Sequence, residues 1–259
     1  MFLRKVRSLP ILPIYFLAIV ICIWEMLPRI GLVNPLIIPP FTEVIRVFFN
    51  VLITDEIMGL KFTPHLLTTL SEFAYACALM LPLGFSIGFC VGQLKYFGMI
   101  FEPIIYLLYA IPNLVLYPIF LLILGIGELS KIVFGIFVGI FPCTIYIISG
   151  FRQVDKSYIR VARLFGAKGY QLIRYVIIPA AMPGILLGIR LGICYAFIGV
   201  ILAETLGSLR GLGYLINTAT YLFNQRALFV VISIILIIST CLHYSLRTLE
   251  KMMLRWQMT

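Results

Sequence analysis

Long stretches without a charged residue dominate the chain. They run from Ser8 to Trp24, extended by Met26 and Leu27; from Phe73 to Leu94; from Pro103 to Gly127; from Ile132 to Phe151; from Tyr175 to Ala203, interrupted by Arg190 alone; and from Ala227 to Leu246. A helix needs about 20 apolar residues to cross a bilayer, so the pattern predicts six spans. Six crossings place both termini on one side. Two connections between the runs are long. One, Pro28 to Pro64, carries Pro35, Pro39 and Pro40 and then Thr42-Glu43, a helix start before Val44-Ile45-Arg46-Val47-Phe48. The other, Arg152 to Arg174, reads as helix, glycine turn, helix, proline. Asp155 or Ser157 caps the first helix, and Tyr158, Val161, Ala162 and Phe165 recur at helical spacing between Arg160 and Arg163. Gly166 follows as its C-cap, and a second stretch, Tyr170 to Ile178, leads to Pro179.

Composition sharpens this into a solvent assignment. Hydrophobic residues are 62% of the 259 and charged residues 12%, against about 45–50% apolar and 25% charged in an ordinary domain. Mean hydropathy is +1.10. No soluble fold of this size hides that much apolar surface. A soluble enzyme, a disordered chain and a fibre are excluded, and lipid is the expected solvent. The net charge of +10 then reads as a topology signal, with no nucleic-acid face. With the N-terminus inside, thirteen of the twenty basic residues fall on the inner side, Arg4, Lys5, Arg7 and Arg255 among them; six fall outside and Arg190 lies in a span. This is the positive-inside bias. It puts both termini in the cytoplasm, with the N-terminal run as a retained span.

Catalytic and metal chemistry is missing from the sequence. Gly-Lys never occurs, so there is no phosphate loop of the GxxxxGK[ST] type. Gly125-Ile-Gly127 and Gly211-Leu-Gly213 are incomplete as dinucleotide fingerprints. Asp55 and Asp155 are the two aspartates, and His65 and His243 the two histidines, too few for a His-based metal site. Cys22, Cys77, Cys90, Cys143, Cys194 and Cys241 are widely spaced and read as small hydrophobes. No metal site, no resident cofactor and no catalytic residue is expected.

The segment from Arg152 inward carries a further signal. Arg160-Val161-Ala162, three residues, Gly166, nine residues and then Val176-Ile177-Ile178-Pro179 resembles the Glu-Ala-Ala, Gly, Ile-x-Leu-Pro signature of binding-protein-dependent ABC import permeases. Arg160 stands where that signature has glutamate. Arg163, Ala167, Ala180, Ala181, Pro183, Gly184 and Arg190 also fit the pattern. The resemblance covers nearly the whole chain. It is closest to the nitrate, sulfonate and taurine subfamily, through Trp24-Glu25, Asn34-Pro-Leu-Ile-Ile-Pro-Pro-Phe-Thr-Glu-Val, Glu102-Pro103, Ala110-Ile-Pro112, Pro118, Gly125 with Lys131, Ala203-Glu204 and Gly211-Leu-Gly213-Tyr.

The resemblance implies a six-helix type I importer permease fold, one transmembrane domain over 1–259 with a cytoplasmic coupling segment at 152–175. It implies a multi-pass subunit of a prokaryotic cytoplasmic (inner) membrane, working as a homodimer or close heterodimer. Two ABC ATPase subunits, holding ATP and Mg, would dock inside on Arg160, Val161, Ala162, Arg163, Phe165, Gly166, Ala167 and Pro179. An extracytoplasmic solute-binding protein would dock outside. The chain itself would be no enzyme. It would pass a small solute of the sulfonate, taurine, nitrate or vitamin-precursor class.

Charges inside spans are expensive and mark function or pairing. Glu72 and Glu204 are candidates for the translocation path or gate, with Asn113, which shares its run with Pro103, Pro112 and Pro118. A broken, cavity-lining helix and a simple packing kink are both open there. In the relatives a basic residue is frequent at Glu72 and an arginine at Tyr109. These departures, with Glu25 and Glu102, suggest an acidic or neutral path that disfavours anions. Two other classes compete. An ion-coupled secondary transporter would need its own coupling site, and a membrane enzyme a catalytic cluster; neither is visible.

Overall fold

The structure, a computed structural model, describes residues 11–254. The basic residues Arg4, Lys5, Arg7 and Arg255 lie outside them. The described residues are helical apart from their connecting loops and one antiparallel hairpin of two two-residue strands. In order, the elements are α1 (Ile11–Arg29), α2 (Phe41–Thr54), β1 (Glu56–Ile57), β2 (Leu60–Lys61), α3 (Phe62–Gln93), α4 (Lys95–Ala110), α5 (Asn113–Leu124), α6 (Glu128–Arg152), α7 (Lys156–Leu164), α8 (Tyr170–Gly207), α9 (Leu212–Tyr221) and α10 (Gln225–Met253). Four of them, α3, α6, α8 and α10, are long and apolar enough to cross a membrane, and α4 with α5 qualifies as a bent pair.

That pair replaces the single third span expected over Pro103 to Gly127. The axis turns by 95° between α4 and α5. The cause is local. Pro112 has no N–H to give, and its ring disfavours helical geometry at Ile111, which sits at φ −70°, ψ 131°. The cysteines divide: Cys143 is buried, but Cys22 and Cys241 are exposed, in line with lipid as the outer solvent.

The chain forms two compact units. One holds the described residues up to Thr63 and Leu215–Ile234; the other holds Pro64–Tyr214 and the described residues from Ile235 onward. In the first, α2 begins at Pro40 with no side-chain cap of its own. Glu25 of α1 supplies one. Its carboxylate accepts from the Thr42 backbone N–H at 2.9 Å and from the Thr42 hydroxyl at 2.9 Å. A negative group at a helix N-terminus also suits the helix dipole. Trp24 donates its indole N–H to the Pro39 carbonyl at 3.1 Å and packs between Phe41 and Phe229. Trp24-Glu25 is thus the clasp that sets how α2 leaves α1.

The second unit is built around α6, which lies between α3 and α8. In lipid, apolar surface gives no net drive for helices to meet, so close packing of small residues must supply it. The buried face of α3 repeats at His65, Thr69, Glu72, Ala76, Met80, Gly84, Gly88 and Val91, a period near 3.6. On α8, Gly184, Gly188, Gly192 and Ala196 fall four apart. They admit the α6 backbone: a Cβ at Gly188 would stand 2.6 Å from the Cys143 carbonyl oxygen, and one at Gly139 of α6 would stand 2.7 Å from the Gly192 carbonyl oxygen. At Gly184 an added Cβ would meet the Gly150 backbone, 2.8 Å from its nitrogen.

Backbone cannot rotate away as a side chain can, so Gly184→Ala must separate the two helices. Overpacking of this kind costs about 1–3 kcal/mol. Thermal unfolding of the detergent-solubilised subunit should show a lower Tm for Gly184→Ala. The control is Gly31→Ala, where a Cβ meets nothing within 4 Å but the residue sits at φ +76°; its smaller loss reads the backbone penalty alone.

Candidate functional site

The segment 152–175 folds much as its sequence suggests. Asp155 caps α7 by accepting from the Ser157 N–H at 2.8 Å. The backbone and side-chain bonds from Ser157 hold its carboxyl below the usual carboxylate range. The cap is therefore complete at neutral pH and is lost only as pH falls through that lowered pKa. At the other end Phe165 is the C-cap. The Gly166 N–H donates to Arg163 O and the Ala167 N–H to Ala162 O, both at 3.0 Å. This is the Schellman pattern, which needs a left-handed residue at Gly166; its φ is +85°.

Burial then separates two faces. Ile159 and Ala162 pack against the core cluster that holds Ile147, Phe151, Ile177 and Ala181. Arg160, Val161 and Arg163 are exposed, and Leu164 and Phe165 reach 87% and 88% exposure. A groove beside α7 is lined by Tyr158, Val161, Ala162, Tyr175, Val176 and Pro179. It brings both ends of the sequence signature together. Pro179 gives no N–H to the turn before it, and that turn widens to a π-helix over Ile173–Ile177. The expected second stretch, Tyr170 to Ile178, is thus the start of α8, with a softened turn inside it.

Glu72 and Glu204 converge at the other end of the spans. Each is 1% exposed. Glu72 forms an ion pair with Lys131 of α6, and Lys131 also donates to the Ser208 hydroxyl at 3.0 Å. Glu204 accepts from the Thr69 hydroxyl at 2.6 Å and from the Gly213 N–H at 2.8 Å. Thr69 accepts in turn from the Leu212 N–H at 2.8 Å, and His65 Nδ1 accepts from the Gly211 N–H at 3.1 Å. The loop from Ser208 to Gly213 is therefore stitched to α3 through its backbone. Only glycine suits Gly211, where φ is +107° and a Cβ would enter the Glu204 carboxylate. Both glutamates are buried within the subunit. Their side chains hold α3, α6, α8 and the loop together.

Asn113, the third path candidate, opens α5 directly after the break, and its Oδ1 is buried without a hydrogen-bond partner. Tyr117, one turn on, packs its ring on Phe134 of α6 at 4.9 Å. Arg190 is engaged by Glu250 of α10 at 2.9 Å, and Glu102 pairs with Arg152 through both guanidinium nitrogens. Sequence reasoning missed Lys131, Thr69 and His65 as members of the buried cluster. The signal was there: His65, Thr69 and Glu72 lie at helical spacing on one face of α3.

The chain resembles transport permeases over most of its length. It is 32% identical over 240 residues to a Bacillus subtilis protein described as an aliphatic sulfonates transport permease, SsuC, covering 93% of this chain and 85% of that one. It is 29% identical over 241 residues to the taurine transport system permease protein TauC of Escherichia coli, covering 93% and 87%. An ABC transporter permease protein of Methanocaldococcus jannaschii is 34% identical, over 95% of this chain and 92% of that one. Among solved structures, a chain from inward-facing conformations of the MetNI methionine ABC transporter superposes with a TM-score of 0.59 at 19% identity, covering 70% of this chain and 93% of that one. That likeness concerns the fold. The family described as binding-protein-dependent transport system inner membrane component matches residues 80–255, a stretch that holds α7, its Gly166 turn and the glycine-seamed α6–α8 pair, and the chain belongs to that family.

Proposed function

We propose that the chain is the membrane permease subunit of an ABC importer, coupled to ATP hydrolysis through residues 152–175. The observation that carries this is the exposed apolar and basic face of α7, held at a fixed angle by Gly166 and leading directly into the spanning helix α8. Exposed Leu164 and Phe165 have no reason to face water unless a partner covers them. The partner is an ABC ATPase, which holds the ATP and Mg and performs the hydrolysis. Arg160, Val161, Arg163, Phe165, Gly166 and Ala167 form the contact with it, and Ala162 and Pro179 seat the helix and the groove.

The remaining architecture follows from the family and the charge bias. The chain crosses the membrane six times as one transmembrane domain, with α1 as the first span, the α4–α5 pair as the third and both termini in the cytoplasm. Two permease subunits, identical or closely related, enclose the path. A solute-binding protein delivers a small organic solute from outside. The names of relatives include the anionic aliphatic sulfonates and the zwitterion taurine, so they leave the solute's net charge open.

Arg160 gives the test its direction. Lys156, Arg160, Arg163 and Lys168 make this face cationic, so the ATPase groove should be acidic. Arg160→Glu should reduce copurification with the partner ATPase, by about tenfold for a like charge set against an interface acid. Undiminished copurification of both the parent and Arg160→Glu at raised salt would refute the acidic groove. No copurification of the parent at all would refute the permease reading.

A further inference from the structure

We propose that the break between α4 and α5 is the solute contact of the translocation path, and that it selects solutes without net charge. This rests on the importer reading and adds the location and chemistry of the path. The first argument is depth. Glu102, on α4, pairs with Arg152 at one end of α6, and Tyr117, on α5, packs on Phe134 near the other. Those two levels are 18 residues apart on α6, about 27 Å at ~1.5 Å per residue. Leu108 packs against the cluster that holds Phe141 and Ile148, between those levels, so Ile111 and Pro112 lie near mid-depth. Irregular backbone at that depth persists only where protein buries it or where it lines a water-filled cavity. Pro112 is exposed on the subunit.

The second argument is what surrounds the break. Asn113, the first residue after the break, carries a buried amide oxygen with no hydrogen-bond partner within the subunit. Tyr109, at the end of α4 just before the break, is 38% exposed, and Tyr146 of α6 is 40% exposed. Exposed phenols and an unpaired amide at mid-depth are costly against lipid. They are the groups a hydrogen-bonding solute with a planar or apolar body would use.

The third argument is charge. The ionic side chains nearest this depth are already engaged: Glu72 by Lys131, Arg190 by Glu250 and Glu102 by Arg152. Glu204 is held by Thr69 and Gly213. Among the described residues an ion at the break would meet none of these side chains as a free counter-charge, and a desolvated ion without one is expensive. A neutral or zwitterionic solute avoids that cost. The preference does not come from the acids read off the sequence: Glu72 and Glu102 are ion-paired and Glu204 is held by hydrogen bonds.

The experiment uses a chain with its six cysteines replaced, carrying Asn113→Cys, in membranes with its ATPase and binding protein. Two methanethiosulfonates of similar size probe the site under ATP turnover: the neutral hydroxyethyl reagent and the anionic sulfonatoethyl reagent. Rates are divided by those for a free thiol in water. The neutral reagent should react about tenfold faster, and adding Tyr109→Arg should narrow or reverse the ratio, as a cationic site concentrates anions. Equal or faster reaction with the sulfonatoethyl reagent overturns the charge class. Failure of both reagents to react overturns the path assignment. Copurification with the ATPase is read separately, so loss of the importer reading is distinguishable from loss of this one.

Discussion

Lys131→Met should destabilise the subunit by about 3–5 kcal/mol, the usual cost of leaving one member of a buried ion pair unpaired. The side chains of Lys131 and Glu72 are 5% and 1% exposed. No hydroxyl or backbone N–H among the described residues caps the Glu72 oxygens, so little else can take over from the lysine. Lys131→Met also removes the donor to Ser208, which loosens the loop that Glu204 holds. Thermal unfolding in detergent should show the loss. Glu72→Leu added to Lys131→Met removes the stranded carboxylate and should restore most of the stability, since well-packed apolar replacements of buried pairs are often neutral. A Lys131→Met subunit as stable as its parent, or a double variant less stable than Lys131→Met, would show that the pair does not bear this charge.

Gly166→Trp should leave the protein inserted and abolish ATP-coupled uptake. The space around Gly166 is open, with nothing within 4 Å of an added Cβ, so bulk does not clash within the subunit. The cost comes from φ +85°. A side chain in left-handed geometry pays about 1–2 kcal/mol, on the order of tenfold in population, against the docked shape of the turn. A tryptophan here also stands where the ATPase would pack. Gly166→Asn separates the two causes, because asparagine tolerates left-handed backbone, and it should keep much of the uptake. The measurement pairs solute uptake with ATP hydrolysis in the same vesicles. Normal uptake by Gly166→Trp would remove the turn from the coupling mechanism.

The sequence marks the local features well. Thr42-Glu43 begins α2, Asp155 caps α7 and Gly166 ends it, because each depends on residues a turn or less apart. The charge-free runs locate the helices but do not mark their ends. Glu72 lies inside α3, which begins at Phe62; Lys131 lies inside α6, which begins at Glu128; Glu204 lies inside α8, which continues to Gly207. A charge marks a membrane boundary only if water must solvate it. These three are solvated by partners from other helices, which no local window reveals. The short helix α9 escaped for a related reason. Its start, at Leu212, is fixed by hydrogen bonds to Thr69, Glu204 and His65, not by a periodic apolar face. The break at Pro112 was legible as a proline, but its 95° turn was not.

The glycine seam along α6 and α8 has a mechanical consequence. Two rods joined along their length resist bending far more than two that slide, and backbone set against backbone leaves no flexible side chains to yield at the joint. The contact between Gly150 and Gly184 is the inner end of that joint. Beyond it, towards α7, the chain passes through the widened turn at Ile173–Ile177, where side chains, Leu172 and Ile177 clustered with Phe151, replace backbone against backbone. Compliance is thus greater in the few residues next to α7 than in the rest of the beam, out to Glu204 and the loop it stitches. A short push on α7 would reach the far end as rotation, with little of its work absorbed along the way.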